Sequence, residues 1–228
     1  MKQLKLQLLI SAFFAAGLLT LGGSVLAATA NFKEGINYVP VSPAQPTTVA
    51  PGQIEVIEFF WYGCPHCFAF EPYVDAWLKH KPANVVFKLI PAAWSGGEDM
   101  AIDARAYYTA QALGLEPKIH NPLFNAIHVD NQYDLTQSQS ALQGFFAKYG
   151  VSKQQFDATW NSFGVNLRMN QALQTLTRYG IQGVPTFVVN GKWMTGAGYP
   201  ADNPMPPETA IRCVEFLVQK EEATLKKQ

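Results

Sequence analysis

The chain has 228 residues, 48% of them hydrophobic and 15% charged, the balance of a packed globular protein with one large domain, or one domain carrying an inserted second, and not of a disordered chain. Lys and Arg (17) equal Asp and Glu (17), which leaves no electrostatic footprint for nucleic acid and no polybasic patch for a membrane surface. Lys2 and Lys5 precede an uncharged stretch over 6–32, rich in Leu, Ala and Phe and closing on small residues around Ala27 and Ala30. This is the build of a secretory signal peptide over 1–27, with cleavage after Ala27 or as late as Ala30. The alternative is an uncleaved anchor, because the apolar run approaches the ~20 residues that span a bilayer; Gly22, Gly23 and Ser24 weaken its far end. Without Lys2 and Lys5 the remaining chain has 15 basic against 17 acidic residues.

Residues 31–53 contain Pro40, Pro43, Pro46, Pro51 and Gly52 and read as an extended lead-in with at most one short edge strand. The run 54–60, IEVIEFF, suits a strand with a buried face, interrupted by Glu55 and Glu58. Pro65 fits the first turn of a helix. Phe68, Phe70, Tyr73, Val74, Trp77 and Leu78 follow at helical spacing, predicting a helix over about 64–80 with Pro72 inside it. A second strand is expected over 85–90, VVFKLI, and strand, helix, strand is a parallel crossover. From 97 to 179 the periodicity is helical, with helices expected over 99–115, around 122–127, over 136–149, from 152 to about 161–163, and over 166–179 ending at Gly180. Strand signals return at 186–189 and 192–195 around the hairpin turn Asn190-Gly191. A final helix from Pro207 directs Ile211, Val214, Leu217 and Val218 to the core.

The chemistry centres on FWYGCPHC at 60–67. Export places cysteines in an oxidising compartment, yet only Cys64, Cys67 and Cys213 are present, too few for a disulfide scaffold. Zinc needs about four ligands; there is no second cysteine pair, and His80, His120 and His128 do not make the spacing. A structural disulfide closing so short a loop would restrain little of the unfolded chain. Redox exchange is the favoured reading. Cys64 falls at a helix N-terminus, where free N–H groups and the macrodipole favour an anion, and His66 inside the loop adds a donor or a charge beside the sulfur.

CPHC, formed by Cys64, Pro65, His66 and Cys67, resembles the active-site motif of the DsbA family of periplasmic thiol:disulfide oxidoreductases. Gly183-Val184-Pro185-Thr186 resembles its cis-proline loop. Cys67 and Pro185 lie 118 positions apart, further than a bare thioredoxin fold places them, and a helical insertion there is the family's architecture. The resemblance covers nearly all of the chain after the signal. It implies an α/β, thioredoxin-like fold in two parts, 31–96 and 180–228, around an inserted helical subdomain at 97–179. An acidic cysteine and an oxidising couple are likewise what the resemblance implies.

By the same resemblance Cys64 is the exposed nucleophile and Cys67 the buried partner, Pro65 and His66 tune the pair, and Pro185 is the cis-proline beside it. Val184 offers backbone groups to an extended substrate. Glu58 resembles the family's buried acid and Lys88 its charge partner on the neighbouring strand. In an apolar strand Glu58 is costly unless paired or protonated, so it either relays the proton of Cys67 or forms a salt bridge with Lys88. Trp61 and Tyr62 flank the motif as substrate contacts or as ordinary core aromatics. Pro72 is closer to thioredoxin, and Cys213 is extra, read as a small buried hydrophobe on the last helix.

The expected protein is a monomeric periplasmic oxidase that donates its Cys64–Cys67 disulfide to reduced, unfolded exported proteins. A DsbB-type quinone-linked membrane oxidase would reoxidise it, and no bound cofactor is implied. The rivals are a disulfide isomerase or reductase kept reduced, and a non-enzymatic periplasmic chaperone using the apolar surface around Trp61.

Overall fold

The computed structural model describes residues 31–94, 98–197 and 204–226; the expected signal peptide lies outside them. In the proline-rich lead-in only a two-residue strand forms, β1 (Val39–Pro40). The IEVIEFF run is β2 (Ile54–Phe60), buried at every position because elements cover both of its faces. Helix α1 (Pro65–Leu78) then returns the chain to β3 (Val85–Pro91), which pairs in parallel with β2, Ile54 opposite Val85 and Phe60 opposite Pro91. This is the expected crossover.

Five helices follow: α2 (Glu98–Ala112), α3 (Glu116–His128), α4 (Gln139–Ala147), α5 (Lys153–Trp160) and α6 (Phe163–Tyr179). A 3-10 turn, Tyr133–Thr136, precedes α4. Gly180 ends α6 in the left-handed conformation (φ 63°), where glycine carries no Cβ penalty.

The chain re-enters the sheet as β4 (Thr186–Val189), antiparallel to β2. It turns through Asn190 (φ 51°) and Gly191 (φ 66°) into β5 (Trp193–Gly196), with positive φ at both central positions as a tight hairpin favours. The sheet order is β1-β5-β4-β2-β3, and α7 (Pro207–Leu225) closes the fold. No helix among the described residues is long and apolar enough to cross a membrane.

The alternation of β2 separates two cores. Ile54 and Val56 pack with Phe70, Val74 and Trp77 of α1 and with Val214 and Leu217 of α7. Ile57 and Phe59 face Leu176 and Tyr179 of α6 on the other side. A third core joins the end of β2 to the insertion, with Phe60, Tyr62, Cys64 and Cys67 packed among Leu123, Phe124, Phe146 and Phe156. The cysteines therefore sit where the two parts of the fold meet. Cys213 is fully buried on α7, and burial pushes its thiol up to about 11, which suits an inert apolar filler.

One buried acid of α7 ties down the hairpin. Glu221 is 3% exposed and accepts hydrogen bonds from Asn190 Nδ2, Lys192 Nζ and Trp193 Nε1, each at 2.7 Å. Burial alone would raise its pKa; the donors from Lys192, Asn190 and Trp193 outweigh that and lower it. Glu221→Ala strands those donors beside a void, so a loss of about 2 kcal/mol of stability is expected, read as a lower urea midpoint with an unchanged slope.

Candidate active site

The turn that ends β2 delivers Cys64 to the cap position of α1. Cys64 has extended backbone (φ −86°, ψ 115°), and its side chain accepts from the backbone N–H of Cys67, with 3.5 Å between Cys67 N and Cys64 Sγ. Pro65 fills the first helical position, where no backbone donor is lost. Both sulfurs are free thiols in this structure. Cys64 is 6% exposed, more enclosed than an exposed nucleophile was expected to be, while Cys67 is fully buried; Pro65 and His66 lie at the surface. Only Cys64 offers an approach to a substrate sulfur.

Opposite the pair stands the loop before β4. The Val184–Pro185 bond is cis, and the Val184 carbonyl lies 3.6 Å from Cys64 Sγ. Thr186 Oγ1 donates to Gly183 O at 2.7 Å, and Ala197 N–H donates to Pro185 O at 3.2 Å, so the loop is braced from both ends. Gly196 belongs to this brace: it holds φ 145°, and a Cβ there would fall 2.4 Å from Pro185 O, so any side chain would displace the loop. Trp61, half-buried, lies over Gly63 on the other flank.

The two thiols are driven apart electrostatically. Cys64 comes down from 9.0 to about 6. The Cys67 thiol donates to its sulfur, outweighing the burial that would raise it, and the N–H groups of Cys67 and His66 and the charge of His66 add to the lowering. Burial pushes Cys67 well up, and the hydrogen bond and charge of Cys64 push it further. At neutral pH the pair holds one thiolate, on Cys64, and one proton, on Cys67.

Glu58 and Lys88 are not partners. Ile57, not Glu58, stands opposite Lys88 in the β2–β3 register. Residues opposite one another share a face of the sheet and neighbours alternate, so Lys88 shares its face with Glu55. Lys88 Nζ binds Glu55 Oε2 and Thr48 Oγ1, and Thr48 Oγ1 also donates to Glu55 at 2.8 Å. Glu58 points to the α1 side, fully buried, with neither carboxyl oxygen partnered within the protein. Burial first, then the charges of Glu71 and Asp75, raise its pKa well above the carboxylate range, and its own charge would push Cys67 up. Glu58, Glu71, Asp75 and His120 line one cavity of about 890 Å³.

Three residues of the insertion reach the site without a signal in the sequence. Asp103 Oδ2 accepts from Gly63 N–H at 3.2 Å, His120 Nδ1 lies 3.0 Å from the Tyr62 hydroxyl, and His128 Nε2 lies 2.7 Å from Tyr62 O. Tyr62 is thus a core residue, 1% exposed. Among the described residues no group of three or more His, Cys, Asp or Glu could hold an ion, so the two histidines serve the turn and not a metal.

A Cys-x-x-Cys pair at a helix N-terminus, faced by a cis-proline loop, on a sheet interrupted by five helices after β3, defines a thioredoxin-fold thiol:disulfide oxidoreductase with a helical insertion. Known proteins narrow this. The model of the DSBA-like thioredoxin domain matches residues 91–203. The thiol:disulfide interchange protein DsbA of Burkholderia cepacia is 40% identical over 220 residues, covering 96% of this chain and 97% of the relative; that of Pseudomonas aeruginosa is 37% identical over 197 residues, 86% of this chain and 89% of the relative. The crystal structure of Pseudomonas aeruginosa DsbA superposes with a TM-score of 0.75 at 36% identity, covering 86% of this chain and 97% of that one. DsbA from Xylella fastidiosa gives 0.74 at 33% identity, covering 82% and 96%. The chain belongs to the DsbA family of thiol:disulfide interchange proteins.

Proposed function

We propose that this oxidoreductase runs as an oxidant: a monomer, exported to the periplasm by the signal peptide at 1–27, that passes its Cys64–Cys67 disulfide to reduced, unfolded exported proteins. The domain division follows the same reading, with thioredoxin-like parts at 31–96 and 180–228 around the insertion at 97–179. The observation that carries the direction is the split between the thiols, with Cys64 at about 6 and Cys67 raised. A dithiol that rests with a stabilised thiolate is a good product, which makes its disulfide a strong oxidant.

In the first step a substrate thiolate attacks Cys64 Sγ. The Cys64–Cys67 bond breaks, and Cys67 leaves with the electron pair and takes a proton, for which Glu58, kept protonated by burial, is the donor. In the second step the other substrate thiolate attacks the substrate sulfur of the mixed disulfide and expels Cys64 as a thiolate. Two electrons pass from substrate to enzyme. Val184 presents backbone groups to an extended chain beside Pro185, and Trp61 adds an apolar flank. A DsbB-type quinone-linked membrane oxidase would accept the two electrons and restore the disulfide.

The test is the equilibrium of Cys64–Cys67 against graded glutathione buffers, read by alkylation and mass with Cys213 tracked separately. A pair already reduced in mildly reducing buffer is the expected result; a pair that stays oxidised until the buffer is strongly reducing overturns the oxidant reading in favour of a reductase. The role of Glu58 has its own readout. Glu58→Gln removes the proton donor at constant volume, so substrate oxidation is expected to slow by about 10²-fold and lose a limb of its pH profile, while the pH midpoint of Cys64 alkylation stays put. A midpoint that moves as far as the rate falls would show a general disturbance of the site instead.

A further inference from the structure

The turn that places Cys64 has its central peptide gripped by the helical insertion at both polar atoms. Cys64 N–H donates to Trp61 O at 3.0 Å, closing a four-residue turn with Tyr62 and Gly63 at its centre. Such turns exist in two forms that differ by a flip of the central peptide plane, and glycine at the third position removes the steric bar to the flipped form. Gly63 is not among the residues with positive φ, so the turn occupies the unflipped form.

Two side chains discriminate between the forms. The Tyr62 carbonyl is 2.7 Å from His128 Nε2; a carbonyl only accepts, so that nitrogen carries a proton. The Gly63 N–H donates to Asp103 Oδ2 at 3.2 Å; a flip would take the N–H away from this accepting oxygen and turn it toward the His128 donor. Phe68, directly after Cys67, stacks on the His128 ring at 5.0 Å and 14° and keeps it in register with the turn. The Tyr62 ring is held separately. Its hydroxyl meets His120 Nδ1 at 3.0 Å, and His120 Nε2 faces Glu71 Oε2 at 3.4 Å.

We propose that His128 and Asp103 are positioning residues that lock the Tyr62–Gly63 peptide in one orientation, so that the helical insertion sets Cys64 at the cap of α1 where a substrate meets it. Neither side chain touches the reacting sulfurs in this arrangement; each acts through the turn. The inference rests on Cys64 being the attacked sulfur.

The experiment compares His128→Leu, which removes the donor, with His128→Gln, whose side-chain amide keeps one. The readouts are the pH midpoint of Cys64 alkylation and the glutathione equilibrium, with urea unfolding as the check on folding. His128→Leu is expected to raise the midpoint by about one pH unit and shift the equilibrium about tenfold toward the disulfide, and His128→Gln to restore most of both. A folded His128→Leu protein with the wild-type midpoint, or a glutamine variant displaced as far as leucine, overturns the lock. Should the leucine variant not fold, the wild-type protein decides the matter: a hydrogen-bonded, slowly exchanging His128 Nε2–H in nitrogen-resolved NMR is expected, and its absence refutes the proposal. Wild-type protein in the same buffers tests the oxidant reading independently, because its equilibrium falls or stands whatever the variants do.

Discussion

Cys64→Ser is expected to abolish thiol oxidation, reducing the rate on a dithiol peptide to that of the uncatalysed reaction. Cys67 cannot substitute, because it is fully buried in the first turn of α1 and its thiol is held protonated by burial; serine can neither ionise in the accessible range nor form the disulfide that carries the oxidising equivalents. The companion variant separates the roles of the two sulfurs. Cys67→Ser leaves Cys64 at the N–H groups of α1 but removes the internal partner, so when the Cys64 thiolate attacks a substrate disulfide and the other substrate sulfur leaves as a thiolate, the mixed disulfide formed has no internal thiol to release it and is seen as a stable adduct by mass. Retained oxidase activity in Cys64→Ser would overturn the site assignment. Retained suppression of substrate aggregation, with oxidation lost, would instead reveal a separate holding activity of the chaperone kind.

The reach of the sequence followed the distance between interacting residues. Cys64, Pro65, His66 and Cys67 are contiguous, and their chemistry comes from a helix end that Pro65 announces. Asn190-Gly191 likewise announces a hairpin that the structure contains. The helix expected from 152 starts there, with Ser152 accepting from Gln155 N at 3.2 Å. Two other starts are displaced by serine caps. Ser138 accepts from Ala141 N and starts α4 after the expected 136, and Ser162 accepts from Val165 N and starts α6 before the expected 166. The pairing of Lys88 failed for a different reason. Period-two alternation gives the face of each residue within a strand but not the register between two strands, and a one-residue change of register exchanges Glu58 for Glu55 as the acid on the same face. Asp103, His120 and His128 were illegible as site residues because each acts on Tyr62 or Gly63 across 40 to 66 positions, contacts that only the packing of the insertion creates.

The largest thermodynamic effect expected concerns the reduced protein and pH. In an unfolded chain the Cys64 thiol titrates near 9.0, and in the fold at about 6. The folded pKa is the lower one, so the stabilisation is present when the thiolate forms and is lost as pH falls through about 6. With one pH unit equivalent to about 1.36 kcal/mol, the gain is close to nothing at pH 5, about 1 kcal/mol at pH 7 and about 3 kcal/mol at pH 8.5. Cys67 sets the upper end of the window. Its folded pKa is raised, so above about 9 the unfolded chain ionises a thiol that the fold keeps protonated, and stability declines again. The oxidised protein has neither titration. Urea unfolding of both redox forms at pH 5, 7 and 8.5 is therefore expected to show the reduced form gaining about 3 kcal/mol on the oxidised form across the series. The same gain must appear as a stronger pull on substrate electrons at higher pH, because stabilising the dithiol over the disulfide in the fold is what makes the disulfide oxidising. A difference that stays flat between pH 5 and 8.5 would place the source of oxidising power outside the Cys64 thiolate and remove the observation on which the direction of electron flow rests.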